Sequence, residues 1–325
     1  MGGLLLARAA LRHSRRIDLR DKVVVITGGS RGLGLVLARE LIRKGARVAL
    51  CARDAAELER ARVELTILGG KVFADTCDVT DRDDIARFLV EVRDELGQID
   101  VLINNAGVVQ VGPMEMMSID DYERAMRTHL WGPLHMMLGV IPEMQRRRAG
   151  RIVNIASIGS KIAIPHLVPY SASKFALYGL SAGMRAELMK DGVLVTTVCP
   201  GLMRTGSPRH AIIKGQQQAE YAWFDISDSL PGTSMSAVRA ARQILRACED
   251  GEAEVTLSVP ARIAAKAHAL APGLVQDLLG VVAQLMPSPV GGSRHGIEGK
   301  DAESKLAPSV LTALGDAAAR RNNEV

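Results

Sequence analysis

The chain has 325 residues, 47% of them hydrophobic and 24% charged, which is enough apolar side chain to build a large core. This excludes a disordered, collagen-like or disulfide-framework protein. The net charge is +5, yet the first 20 residues alone hold Arg8, Arg12, Arg15, Arg16 and Arg20 against Asp18. The rest of the chain is close to neutral, so no basic face for nucleic acid runs through the body.

Residues 1–20 read as a basic N-terminal tail. MGGLLLARAALRHSRR is broken by Arg8 and lacks the apolar stretch of a signal peptide. No uninterrupted apolar run reaches the length of a spanning helix. A cytoplasmic protein is the expectation; the alternative is a tail lying as a short basic helix on an anionic membrane. Cys51, Cys77, Cys199 and Cys248 are widely spaced with no CxxC pair, and read as reduced core residues. No His, Cys and carboxylate cluster has metal-ligand spacing, so no metal is expected.

From residue 21 to about 260, apolar runs alternate with helical patterns. Val23-Val24-Val25-Ile26 predicts a strand buried on both faces. Leu33, Leu37 and Leu41 follow at helical spacing, with Gly45 as a stop. Strands are predicted at 48–51, 71–77, 101–103, 152–155, 193–198 and 255–259. Between them, residues 54–68 and 81–96 predict helices, the second with Ile85, Phe88, Leu89, Val92 and Leu96 on one stripe. This alternation predicts an α/β fold, a Rossmann-like doubly wound parallel sheet of about seven strands with helices on both faces. Residues 201–235 read as an irregular lid over that domain. Residues 261–325 read as a helical extension and tail, with a flexible Gly- and Ser-containing linker at 288–305.

Ligands of such sheets bind where the strands end. Strand one runs into Thr27-Gly28-Gly29-Ser30-Arg31-Gly32-Leu33-Gly34. A glycine-rich turn between a buried strand and a helix lets the backbone approach a pyrophosphate, with helix N–H groups as donors. At the end of strand two, a carboxylate would bind a ribose 2′-hydroxyl and repel a 2′-phosphate. Ala52 and Arg53 stand there instead, with Arg31 as a second cation. NADP(H) is therefore favoured over NAD(H); the alternative is that Arg53 only caps a helix or pairs with Asp54.

Further motifs complete the pattern: Cys77-Asp78-Val79, Asn104-Asn105-Ala106-Gly107, Ser157, Tyr170-Ser171-Ala172-Ser173-Lys174, and Pro200-Gly201 with Thr205. Together with the glycine turn, over residues 20–260, they resemble the short-chain dehydrogenase/reductase family. The resemblance implies nicotinamide chemistry. It places Asp78 and Val79 near the adenine, Asn105, Ala106 and Gly107 beside the cofactor, and Pro200, Gly201 and Thr205 towards the nicotinamide. It also implies a homodimer or homotetramer.

Tyr170 and Lys174 share one helix face. A phenol titrates near ~10, and a neighbouring ammonium is expected to lower that value. Tyr170 is then the general acid/base for carbonyl reduction or alcohol oxidation, with Ser157 holding the substrate oxygen. The family places an Asn where this chain has His129 in Arg127-Thr128-His129-Leu130-Trp131. His129 can replace the Asn role, shift the pH optimum, weaken the relay, or simply pack beside Trp131; functional replacement is the preferred hypothesis. His166 and His210 read as packing residues near the pocket. Ile162, Ile164, Leu167, Val168, Tyr221, Trp223 and Phe224 suggest an apolar small-molecule substrate. The expected function is an NADPH-linked oxidoreductase of ketones or aldehydes. The alternatives are a membrane or assembly protein on the same fold, and a lyase or epimerase.

Overall fold

The computed structural model describes residue 10 and residues 12–325; the start of the basic tail, Arg8 included, lies outside the described residues. Chain order begins β1 (Val23–Thr27), α1 (Gly32–Arg43), β2 (Arg47–Ala52), α2 (Ala55–Ile67), β3 (Lys71–Thr76), α3 (Arg82–Leu96) and β4 (Val101–Asn104). It continues with β5 (Gln110–Val111), α4 (Ile119–Met126), a π-helical turn at Arg127–Trp131, α5 (Gly132–Arg147), β6 (Gly150–Ile155), α6 (Val168–Leu188) and β7 (Val193–Cys199).

The C-terminal third adds β8 (Leu202–Arg204), β9 (Ile212–Gly215), α7 (Gln217–Ser229), β10 (Ser234–Ser236), α8 (Ala237–Glu249) and β11 (Glu254–Thr256). After these come α9 (Val259–Leu270), α10 (Pro272–Gln284), β12 (Ser293–Glu298) and α11 (Ala313–Arg321).

Seven strands form one parallel sheet in the order β11-β7-β6-β4-β1-β2-β3. Every residue of β1, β4, β6 and β7 is buried. Successive side chains alternate between faces, so Val24 and Ile26 pack with residues of α1, α2 and α8. Val23 and Val25 pack instead with residues of α3 and α5. The doubly wound architecture is as the sequence predicts. The chain order reverses between β1 and β4, which opens the crevice where ligands of such sheets sit.

Two segments differ from expectation. Residues 201–235 are not irregular: they hold β8, β9, α7 and β10, with β8 paired to β10. Nor is 288–305 an unstructured linker. Within it, β12 pairs antiparallel with β9, which pairs in turn with β5, making a second sheet. Three of the four glycines there, Gly292, Gly296 and Gly299, are close-approach residues: a Cβ on Gly299 would stand 2.1 Å from the Pro208 carbonyl oxygen. By contrast α9 and α10 lie outward; no side chain of α10 is buried, and Leu270, Leu274 and Leu285 are exposed. Among the described residues no helix is long and apolar enough to cross a membrane.

Candidate active site

The glycine turn closes tightly against the turn after β4. Thr27 Oγ1 accepts the N–H groups of Asn105 and Ala106, both at 3.0 Å. Asn105 Nδ2 donates back to the carbonyls of Thr27 and Gly28 at 3.1 and 2.9 Å. A Cβ on Gly34 would lie 2.0 Å from the Gly28 oxygen, so only glycine lets α1 start this close to β1. Leu33 is buried beneath the turn. This cradle fits a dinucleotide pyrophosphate, and one of its donors, the Gly32 N–H, already meets an acceptor of the chain itself: the Asn322 carbonyl at 2.9 Å.

Around the turn the predicted residues are distributed unevenly. Ser30 Oγ donates to Glu57, and Arg31 is ion-paired to Glu57 at 2.8 Å and to Glu324 at 3.4 Å. Arg53 stands exposed just beyond β2. It does not pair with Asp54, whose carboxylate caps α2 by accepting the Glu57 N–H at 2.8 Å. Asp78 folds into a local turn, accepting from the Thr80 N–H and hydroxyl, while Val79 is buried against Gly132. Across the crevice, the Pro200 carbonyl accepts the Ile158 N–H at 2.7 Å. A Cβ on Gly201 would stand 2.7 Å from Ser258 Oγ. Thr205 is buried and its hydroxyl donates to Ser207.

At the far end, Ser157 follows β6 and Tyr170 and Lys174 lie on the first turns of α6. The Ser157 hydroxyl hydrogen-bonds the Tyr170 phenol and also accepts the Gly159 N–H at 3.0 Å. Lys174 Nζ sits 5.6 Å from the Tyr170 ring centroid and donates to the Ile155 carbonyl at 2.9 Å. The charges do not follow the simplest expectation. Burial pushes the Tyr170 pKa up, against the lowering effect of the Ser157 hydrogen bond. Burial pushes Lys174 down to about 7. Enclosure penalises a charge on either group more than the pair gains from proximity, so in this state the ammonium does not acidify the phenol.

His129 is buried on the π-helical turn, where the widened backbone swings its ring inward. Its Nε2 accepts the Val108 N–H at 3.1 Å, which leaves Nδ1 as the donor to Ser173 Oγ at 2.8 Å. Ser173 then donates to the Tyr170 carbonyl at 2.8 Å. The His129 and Tyr170 rings meet edge to face at 5.5 Å, whereas the ring stacked on Trp131 is that of His135. Burial, aided by Lys174, holds the His129 pKa well below that of a free imidazole. The ring stays neutral near pH 7, so a titrating His129 that sets the pH optimum does not fit the structure. Contacts run unbroken from the glycine turn to the phenol. A Cβ on Gly28 would meet Ala106, one on Gly107 would meet His129, and His129 touches Tyr170.

The apolar residues near Tyr170 split. Ile162, Leu167 and Tyr221 are buried, while Ile164, Trp223 and Phe224 are partly open and belong to the same cluster as Tyr170. His166 Nδ1 pairs with the buried Glu220 at 2.8 Å, and Trp223 Nε1 donates to the same carboxylate. His210 lies beside Arg31 and the Glu324 carbonyl, at the dinucleotide end. Sequence patterning did not reveal the arrival of residues 322–324 at the glycine turn. No periodicity or motif in the tail signals a contact almost three hundred residues away.

A doubly wound sheet with a glycine turn at one side of its crevice and Ser, Tyr and Lys at the other defines a class of oxidoreductases acting on CH–OH and C=O groups. Residues 22–212 match the short chain dehydrogenase family, and the chain belongs to it. It is 35% identical to the Bos taurus dehydrogenase/reductase SDR family member 7B over 271 residues, 81% of this chain and 82% of that protein. It is 34% identical to gluconate 5-dehydrogenase of Gluconobacter oxydans over 195 residues, 60% of this chain and 76% of the other. Among solved structures, an actinorhodin polyketide ketoreductase variant with NADPH superposes with a TM-score of 0.66 at 30% identity, over 73% of this chain and 95% of that one. A metagenomic short-chain oxidoreductase in complex with NADP gives 0.61 at 29% identity, over 74% and 98%.

Proposed function

We propose that the protein is an NADPH-dependent reductase of an apolar ketone or aldehyde, working reversibly on the alcohol. The observation that carries this reading is the Ser157–Tyr170 hydrogen bond with Lys174 behind it, joined by contact to the dinucleotide turn. The crevice would hold a reduced nicotinamide, which would supply hydride for the carbonyl carbon. Tyr170 gives its phenolic proton to the carbonyl oxygen, and Ser157 donates a hydrogen bond to that oxygen as negative charge develops. Lys174, 5.6 Å from the Tyr170 ring centroid, would hold the dinucleotide through its ribose and help to restore the proton-donating phenol.

His129 acts as a positioning residue in place of an Asn. Neutral, with Nδ1 donating and Nε2 accepting, it ties the turn after β4 to the helix carrying Tyr170. The preference for NADPH rests on Arg53, which is exposed with no acid at the first position after β2 to repel a 2′-phosphate. Two relatives in fold were solved with NADPH and NADP, which agrees with it. The partly open Ile164, Trp223 and Phe224 beside Tyr170 supply apolar contact for the substrate. Leu138 and Phe175, exposed on α5 and α6, support a homo-oligomer built through these helices.

The test is a panel of ketones graded in apolar surface, with consumption of NADPH and NADH followed separately. The reading predicts turnover with NADPH that improves as apolar surface grows. Consumption confined to NADH, or none with any carbonyl, would overturn it.

A further inference from the structure

The C-terminal segment enters the phosphate cradle. The Asn322 carbonyl accepts the Gly32 N–H at 2.9 Å, and Asn322 Nδ2 donates to the Thr205 carbonyl at 3.1 Å, bridging the two sides of the crevice. Arg39 holds the same residue through Nη1 to Asn322 Oδ1 at 3.1 Å, and donates through Nη2 to the Arg321 carbonyl at 2.7 Å. Asn323 turns left-handed, φ +60°, and its Nδ2 donates to the carbonyls of Ser30 and Glu57 at 2.9 and 3.0 Å, while Arg60 donates to its Oδ1. The Glu324 carboxylate is buried 3.4 Å from Arg31 and 3.2 Å from His210, and its Oε1 lies 2.5 Å from where a Cβ on Gly32 would stand. The helix before it is seated closely: a Cβ on Gly206 would stand 2.5 Å from the Ala319 Cα.

These are the partners a dinucleotide would need. A carbonyl oxygen meets the glycine-turn N–H, and a carboxylate meets Arg31, in the places expected of pyrophosphate oxygens. Asn323 lies over Ser30 and Glu57, where β1 and α2 face the adenosine ribose of such folds. The two occupants cannot share this space.

We propose that residues 322–324 are an intramolecular plug of the dinucleotide cradle, and that NADPH must displace them to bind. The proposal rests on the reading of the glycine turn as a dinucleotide site and adds its regulation. Displacement is feasible because the docked segment carries its own cost. Burial pushes the Glu324 carboxyl up to about 8, and its Oε2, though 3.2 Å from His210 and 3.4 Å from Arg31, receives no well-aligned hydrogen bond from either. A plug lowers apparent affinity by the fraction of molecules that are open. The chain thus holds a self-limiting element whose release, by any partner that captures the C-terminal segment, raises cofactor affinity.

The test compares NADPH titrations of the full chain and of the full chain carrying Asn322→Ala, Asn323→Ala and Glu324→Ala together. If the plug is docked nine-tenths of the time, the variant binds NADPH about tenfold tighter. Equal affinity overturns the plug while leaving the dinucleotide site standing; weaker affinity also overturns it, showing a clamp on bound cofactor. Failure of both proteins to bind NADPH or NADH removes the dinucleotide reading, and the plug with it. Hydrogen exchange on the unaltered chain gives an answer independent of the variant's folding. The Asn322 and Glu324 amides, bonded to the Ala318 and Ala319 carbonyls, should exchange faster at saturating NADPH. Unchanged protection with NADPH bound overturns the plug.

Discussion

At the catalytic end of the crevice the functional side chains are tied to main-chain groups of the sheet and its turns. Lys174 holds the Ile155 carbonyl, His129 the Val108 N–H, and Ser157 the Gly159 N–H. At the dinucleotide end, Arg31, Arg39 and Arg60 hold instead the C-terminal segment and nearby carboxylates. The catalytic side chains stand on elements built into or against the main sheet, whereas residues 322–324, although they too bond main-chain groups at Gly32, Ser30, Glu57 and Thr205, belong to no strand and can be exchanged for another ligand. The comparison teaches that the site's chemistry is fixed by the core while its access is set by a movable segment.

Tyr170 itself apart, the largest expected effect is at Lys174. Lys174→Ala should lower kcat by about a hundredfold or more, because the proton-transfer geometry of Tyr170 loses its support; a loss below about threefold would detach the lysine from the reaction. His129 comes next. His129→Phe, which removes both hydrogen bonds, should cost about tenfold in kcat/KM. His129→Asn should stay near the parent with a superimposable pH–rate profile, since the buried imidazole is already neutral. A displaced profile would show that the ring titrates. Arg53→Ala should raise the KM for NADPH about tenfold and that for NADH far less; equal changes would sever Arg53 from the 2′-phosphate.

The smallest effect concerns stability. Lys174 is pushed down to about 7 in the fold, against an ordinary lysine value near ~10.4 in the unfolded chain. Between those two values the unfolded state binds the extra proton, so this group makes stability rise with pH across that window. The Tm of Lys174→Met, minus that of the parent, should therefore fall from pH ~7 to ~9.5 by a few degrees. A difference that stays flat across that window would place a firmly charged lysine in the core.

Much of the fold was legible because buried parallel strands announce themselves as continuous apolar runs, as in Val23-Val24-Val25-Ile26. The site residues were legible because each lies at a strand end or one helical turn from its neighbour. What patterning missed were contacts made by sequence-distant polar residues. β12 reads as a linker because Gly296 and Gly299 look like flexible positions, when they are small enough to pack against Ile212 and Pro208. Spacing on α6 likewise puts Tyr170 beside Lys174 without showing that burial overrides their mutual attraction. His129 was recognisable as a departure, but its orientation depends on a π-helical turn that leaves no mark in Arg127–Trp131.

The most direct measurement of the central claim is made on Tyr170→Phe, titrated with NADPH and then mixed with a ketone that the parent reduces. The account predicts NADPH affinity within about twofold of the parent and turnover reduced by at least a thousandfold. Turnover that persists in the absence of the phenol would contradict it.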